Sequence, residues 1–187
     1  MKLLPWSAGL ALCALVSFAA APAAMAQQDK LDKADTAAMK KLAQANHAEI
    51  ELGKLAQSKA QSEEVKKFGQ HMVDEHGQML EDLQKLASSK GVTLPDSPAA
   101  KDQKTLKKLQ GLSGAQFDRR YMADMVKDHK KDIQETAKIA QKAKDAEFKS
   151  AVQQANSKMK EHLQMAQQVA STTKSASRGS SSSGSKK

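Results

Sequence analysis

Two similar pentapeptides carry residue types that could do chemistry. Residues 72–76, Met-Val-Asp-Glu-His, and residues 125–129, Met-Val-Lys-Asp-His, share the order Met-Val-any-acid-His. Because positions four apart lie on one face of a helix, each methionine shares a face with its histidine, and the acid lies about 100° away. Each segment therefore predicts a buried imidazole flanked by a carboxylate. A buried imidazole can serve as a metal ligand or as a structural polar group.

Two other long segments each place one ionisable residue among their apolar positions. Glu49 lies on the inner face of the first predicted long helix, and His162 lies in the middle of the last. At about 1.5 Å per residue from the predicted turns, both fall near the level of His76 and His129. The spacing predicts one polar layer to which four helices contribute.

These four residues fit two roles. Three imidazoles and a carboxylate offer the number and kind of donors that bind a divalent metal, with zinc, copper and iron as candidates. The other role is a structural layer in which polar neighbours satisfy the histidines and fix the helix register. The residues predicted to surround the layer are Glu75, Asp118, Tyr121 and Asp128.

The chain carries no signature of an enzyme. Di-iron carboxylate bundles use Glu-any-any-His on two helices, but the position three before each central histidine is apolar here: Val73, Val126 and Met159. Serine residues are concentrated in linkers and near the C-terminus, without an activating arrangement. We therefore expect neither ferritin-type iron oxidation nor nucleophilic hydrolysis.

The elements that would position these residues are helices. Only 3% of the residues are aromatic, and the abundance of Ala, Lys, Gln and Leu favours helices over sheets. Apolar residues at helical spacing predict four long helices, over 29–60, 62–90, 115–144 and 145–170.

The second and third long helices are joined by a long crossover. Gly91, Pro95 and Pro98 interrupt the helical pattern, and a short helix is predicted through Leu106 and Leu109. The predicted fold is an all-α four-helix bundle with this short helix in its crossover.

The two ends of the chain differ from the helical domain, residues 27–170. Residues 1–26 have the basic start, apolar run and small-residue cleavage site of a secretory signal, with cleavage near Ala26. Residues 171–187 are rich in serine and lysine and predict a disordered tail. The single cysteine, Cys13, lies in the signal, which leaves His, carboxylate and thioether groups as ligands.

The net charge of +9 does not indicate nucleic-acid binding. The signal and the tail hold more than half of it, which leaves about +4 on residues 27–170. Export and the absence of a recognition motif argue against a nucleic-acid partner. We expect a periplasmic protein with no transmembrane span after processing. Its tail either makes weak contact with anionic envelope surfaces or only increases solubility.

Several short motifs, taken in order, resemble an exported bacterial family of unknown function. Besides the two pentapeptides they are Glu-Ile-Glu-Leu-Gly-Lys-Leu-Ala at 49–56, Val-Lys-Lys-Phe at 65–68, Gly-Val-Thr-Leu-Pro at 91–95, Phe-Asp at 117–118 with Tyr121, and His-Leu at 162–163. Members of that family are often labelled outer membrane proteins and are grouped with ferritin-like bundles. The resemblance implies a ferritin-like four-helix fold and a periplasmic or envelope location, but no established activity or ligand.

Sequence alone thus predicts an exported, stress-related structural or interaction protein with a His/Glu polar layer in its core. The alternative is a divalent metal-binding module that uses Glu49, His76, His129 and His162. The oligomeric state is not indicated.

Overall fold

The computed structural model describes residues 30–182, with side chains described as far as Lys174. Regular structure in this part of the chain is entirely helical, which confirms the all-α prediction. The predicted signal, residues 1–26, lies outside the described residues, as do residues 183–187 of the predicted tail. The five helices are α1 (Lys33–Lys59), α2 (Glu63–Ser89), α3 (Ala100–Gln110), α4 (Gly114–Lys142) and α5 (Ala146–Ser182).

The helix starts follow capping chemistry that is visible in the sequence. The Ser62 hydroxyl accepts a hydrogen bond from the Val65 amide, and the Asp145 carboxylate accepts one from the Phe148 amide, at 3.4 and 2.8 Å. Each side chain satisfies a donor that the helix itself leaves free. Both predicted starts are thus confirmed.

The last helix continues beyond Ala170, where the predicted tail begins, and reaches Ser182. Past this point the hydroxyl groups of Thr172 and Thr173 form hydrogen bonds within the helix. Both donate to the Val169 carbonyl, at 2.9 and 3.2 Å. Such local bonds need no buried face, so apolar periodicity does not reveal this extension.

The four long helices form two antiparallel hairpins, α1 with α2 and α4 with α5. Each hairpin holds the loop of the other. Asp118 at the start of α4 accepts from the Ser62 amide at 2.9 Å, and Asp35 at the start of α1 accepts from the Asp145 amide at 3.0 Å. The same sequence spacing separates the two aspartates and the two loop residues, so the hairpins repeat each other. These contacts make α1 antiparallel to α4 and α2 parallel to α4.

The crossover, residues 90–113, must therefore return along the length of the helices. Its short helix α3 packs against α1 and α4. Leu106 and Leu109 are buried there together with Phe117 and Tyr121. The predicted crossover with a short helix is confirmed.

The core consists of two apolar clusters with a polar region between them. One cluster contains Phe68, Phe117 and Tyr121, and the other contains Met39 and Phe148. Apart from Asp35 and Asp118 at the helix starts, the buried polar residues of each long helix lie between the stretches that enter the two clusters. They are Asn46, Glu49, His76, His129, Thr136, Asn156 and His162.

The inner face of α1 differs from the prediction by about one residue in its first half. The apolar spacing predicts an inner face along Leu31, Ala38, Leu42, Ala45, Leu52 and Ala56. In the structure Met39, Ala43 and Asn46 are buried, whereas Ala38, Leu42 and Ala45 are only partly buried. The reason lies further along the hairpin, where α1 and α2 touch backbone to backbone. A Cβ at Gly53 would lie 2.5 Å from the carbonyl oxygen of Gly69. This contact needs a residue without a side chain at Gly53, so it fixes which face of α1 meets α2.

Candidate metal centre

Three imidazoles converge in the polar region. One ring nitrogen from each of His76, His129 and His162 lies within 4.8 Å of the others. Ring centroids are 5.1 to 5.9 Å apart, and the three residues are 2%, 1% and 0% exposed. The structure therefore brings together the three histidines that the sequence singles out, from three different helices.

Asn46 on α1 sets the tautomer of His76. The Asn46 amide nitrogen donates to the Leu42 carbonyl at 3.0 Å, which leaves its amide oxygen to face Nδ1 of His76 at 2.9 Å. An amide oxygen only accepts, so Nδ1 of His76 carries the proton. The lone pair of Nε2 is thus available for a metal ion.

His129 reaches the same state through the backbone. Its Nδ1 donates to the Met125 carbonyl one turn earlier, at 3.0 Å, so Nε2 again carries the lone pair. Neither ring nitrogen of His162 has a hydrogen-bond partner, nor does Nε2 of His76 or of His129, among the residues described here. Two of the three imidazoles are thus oriented by a partner, and all three present a free nitrogen.

Helix contacts on either side of the group fix its register. Asn46 precedes Gly53 by about two turns and His76 follows Gly69 by about two turns, so the close glycine contact aligns the hydrogen-bonded pair. In the other hairpin the buried Asn156 amide donates to the Thr136 hydroxyl at 2.7 Å. Each hairpin therefore has its own contact that sets the height of its histidines.

Burial keeps the three imidazoles neutral. It is the main cause that lowers the pKa of His129 to about 4 and that of His162 to about 3, from the usual 6.5. The pKa of His76 is also lowered well below its usual value, first by burial and then by His129 and His162. Neutral imidazole is the form that binds metal ions, so the group is ready to do so at neutral pH.

Glu49 does not belong to the converging group. It is 6% exposed and its Oε2 has no partner among the described side chains. Burial raises its pKa well above the usual value, and Asp132 and Asp128 add to the effect, whereas no imidazole contributes. The structure thus brings together three of the four candidate residues, and the partner of His76 is Asn46, one turn before Glu49.

Two of the four predicted neighbours serve other purposes. Asp118 binds the amides of Gln61 and Ser62, at 3.1 and 2.9 Å, and so holds the α1–α2 loop. Tyr121 stacks on Phe117 with centroids 5.4 Å apart, and its buried hydroxyl has no partner in the described part of the chain. Their expected role around the histidines is therefore not seen.

The other two predicted neighbours lie next to the histidines in sequence but make no hydrogen bond to them. Glu75 pairs with Lys158 across α2 and α5, at 3.1 Å. Asp128 is about half-buried, and burial, followed by Asp124, raises its pKa. The acid in each pentapeptide thus faces away from the imidazole that follows it.

Sequence reasoning missed two residues. Asn46 was not predicted to be buried because the predicted inner face of α1 includes Ala45 instead. His71 shares a helix face with Glu75, Gln78 and Asp82, a pattern that predicts a solvated surface position. In the structure it is half-buried and its ring lies 5.4 Å from that of His162. His71 lies five residues before His76, so the two do not share a helix face, and helical spacing does not predict that His71 lies near the histidine group.

The fold and the site together define an all-helical protein with a buried three-imidazole group between two hairpins. Over residues 20–169 the chain matches the family described as a domain of unknown function, DUF4142, and it belongs to that family. No curated protein and no solved structure matches the chain. Within residues 30–182, no helix combines the length and the apolar character needed to cross a bilayer.

Proposed function

We propose that this chain is an exported, ferritin-like four-helix bundle protein of the cell envelope that binds a transition-metal ion through His76, His129 and His162. The observation that carries the proposal is the convergence of free imidazole nitrogens. Buried polar atoms in proteins are nearly always hydrogen-bonded. Here each of the three imidazoles that lie close together has at least one ring nitrogen without a partner in the described residues.

A purely structural layer explains this arrangement less well. Histidines that only fix register gain stability by donating and accepting within the core, because an unsatisfied buried nitrogen costs about 1–3 kcal/mol. His76 and His129 each satisfy Nδ1 and leave Nε2 free, which is how a metal-binding histidine is held. A bound ion would supply the missing partner to all three rings.

The proposed role is to hold the ion rather than to catalyse a reaction with it. The three histidines are at most 2% exposed, so a substrate could reach the ion only if the helices moved apart. No Glu-any-any-His pair accompanies the group. Metal storage, transfer or sensing within the envelope agrees with these features better than iron oxidation does.

The proposed location rests on the sequence. Residues 1–26 have the pattern of a secretory signal cleaved near Ala26, which would deliver residues 27–187 to the periplasm without a transmembrane span. The basic residues near the C-terminus would allow weak contact with anionic envelope surfaces, whereas a nucleic-acid partner is not proposed. Detection of the processed chain in a periplasmic fraction tests this part.

Thermal unfolding tests the metal site directly. Metal-stripped protein is melted with and without zinc, iron(II) and copper, the last both as Cu(II) and, under reducing conditions, as Cu(I). An ion at 100 times its Kd stabilises the native state by about 2.7 kcal/mol and raises Tm. His76→Gln combined with His129→Gln should remove the shift.

His47→Gln is the matched control, because Nε2 of His47 is also buried without a partner but lies outside the group. This variant should keep the full shift in Tm. If no ion raises Tm, or if the double variant responds as the original chain does, the three histidines form a structural layer and the proposal is wrong.

A further inference from the structure

We propose that the three-imidazole group selects a soft monovalent ion, Cu(I), over the divalent ions zinc, iron(II) and cobalt(II). This inference rests on the proposed function, because it concerns the choice of ion at the same site. It follows from the charge of the surroundings, from the sulfur atoms near the site and from the path that leads to it.

The groups that orient the imidazoles supply no negative charge that could neutralise a cation. The partners that orient His76 and His129 are the Asn46 amide and the Met125 carbonyl, both of them neutral. Within the described residues, no carboxylate belongs to the converging set. The nearby carboxylate of Glu75 is paired with Lys158 at 3.1 Å.

A divalent ion is disfavoured in such a site. The cost of taking an ion out of water grows with the square of its charge, so it is about four times larger for a divalent than for a monovalent ion of similar size. Three-histidine zinc sites in other proteins gain negative charge from bound hydroxide and from carboxylates behind the histidines. Here the histidines are at most 2% exposed, and amide and carbonyl groups stand in the place of those carboxylates.

Three methionines lie close in sequence to the three histidines. Met72 and Met125 each precede a ligand histidine by four residues, so they lie on its helix face, and both are fully buried. Met159 is 6% exposed and precedes His162 by three residues. Thioether sulfur favours Cu(I) over zinc and iron(II), whereas hard carboxylate ligands are not available in the group. A soft ion would therefore find thioether groups one helical turn from the imidazoles.

A groove between α2 and α5 leads toward the site. Its cavity has a volume of about 180 Å³ and is lined in part by Asn46, Met79 and Met159. Glu75, Asp82 and Lys158 also line it. Because Asn46 both lines this cavity and bonds to His76, the groove reaches the edge of the site. Its wall offers thioether groups beside the charged ones.

Competition for the ion tests the inference. The full chain carrying Cys13→Ser, so that a thiolate cannot contribute, is titrated without oxygen against a chromophoric Cu(I) chelator and, separately, against a zinc chelator and with cobalt(II). We expect one Cu(I) per chain, bound more tightly than zinc or cobalt(II) and lost in His76→Gln with His129→Gln. Ag(I), a redox-inert monovalent ion, should compete for the same site.

A variant that adds a negative charge without adding a ligand tests whether charge decides which ion binds. Asn46→Asp places a carboxylate behind His76 and should raise zinc and cobalt(II) affinity by about 10–100-fold while Cu(I) affinity changes much less. Gln78→Glu, an exposed change on the lining of the same groove, should leave all affinities nearly unchanged.

Two results would overturn the inference while leaving the proposed function intact. One is zinc or cobalt(II) binding at the three histidines as tightly as Cu(I) does. The other is an Asn46→Asp variant that changes the affinities for Cu(I) and zinc equally. If no ion binds at the histidines, the proposed function fails as well.

Discussion

The imidazole group and a nearby set of buried and half-buried carboxylates show what separates a candidate site from a collection of charged residues in the interior. We call Glu49, Asp128 and Asp132 the carboxylate set. Both regions lie between the two apolar clusters. The ring nitrogens of the three histidines converge within 4.8 Å, whereas no such convergence includes these acids. Burial alone therefore does not identify a metal site, whereas oriented donor atoms that converge on one point do.

The two regions also respond to burial in opposite ways. Burial lowers the pKa of each histidine, whereas it raises the pKa of Asp132 to about 6, with Asp128 as the next cause. In both regions burial favours the neutral form, which is the deprotonated form of a histidine and the protonated form of a carboxylate. Stability of the metal-free protein should therefore depend on pH with opposite slopes for the two regions.

The largest change in stability is expected for the histidines as the pH is lowered. Burial lowers the folded-state pKa of His129 to about 4 from the usual 6.5, so its contribution is complete above pH 6.5 and is lost as the pH falls toward 4. This loss amounts to about 3 kcal/mol for His129 alone. Urea unfolding with a chelator present should show His129→Gln with a weaker pH dependence than the original chain between pH 7 and 4. Parallel curves for the two proteins would mean that His129 is not held neutral.

The next largest change in stability concerns Asp132 as the pH is raised. Its pKa is raised from 3.8 to about 6, so its contribution is complete below pH 3.8 and is lost as the pH rises through 6. Asp132→Asn should therefore increase the free energy of unfolding at pH 8 by up to about 3 kcal/mol. Asp96→Asn, a change at an exposed acid of the crossover, is the control and should have little effect. A less stable Asp132→Asn protein at pH 8 would show that the ionised carboxylate has a favourable partner.

Sequence reasoning found the helices and the common level of the three histidines, because both follow from local periodicity. It placed Glu49 among the histidines and missed Asn46, because alanines on several faces of α1 leave its rotation ambiguous. A tertiary contact, Gly53 against Gly69, decides that rotation. Likewise, the contact of His71 with His162 depends on how α2 and α5 meet, which no pattern within one helix encodes.

A double-mutant cycle compares the two candidate partners of His76. His76 bonds to Asn46 at 2.9 Å, whereas the groups that raise the pKa of Glu49 after burial are carboxylates. Asn46→Leu and His76→Gln in metal-free protein should therefore show a coupling energy of about 1–2 kcal/mol, since each leaves the other without its buried partner. Glu49→Gln and His76→Gln should add within about 0.5 kcal/mol. Strong coupling between Glu49 and His76 instead would return Glu49 to the imidazole group.

The smallest effect is expected at Tyr121, which borders the carboxylate set. Its hydroxyl is buried without a partner in the described residues, and burial, followed by Glu49, raises its pKa well above the usual value. Tyr121→Phe keeps the ring stacked on Phe117 and removes only the unsatisfied group, so stability should stay the same or rise by less than about 1 kcal/mol. Phe117→Leu, which changes the packing instead, should lower stability. Tyr121→Phe should leave the affinity of the histidines for an ion unchanged. If the variant binds the ion more weakly, or if it loses more than about 1 kcal/mol of stability, the hydroxyl supports the site.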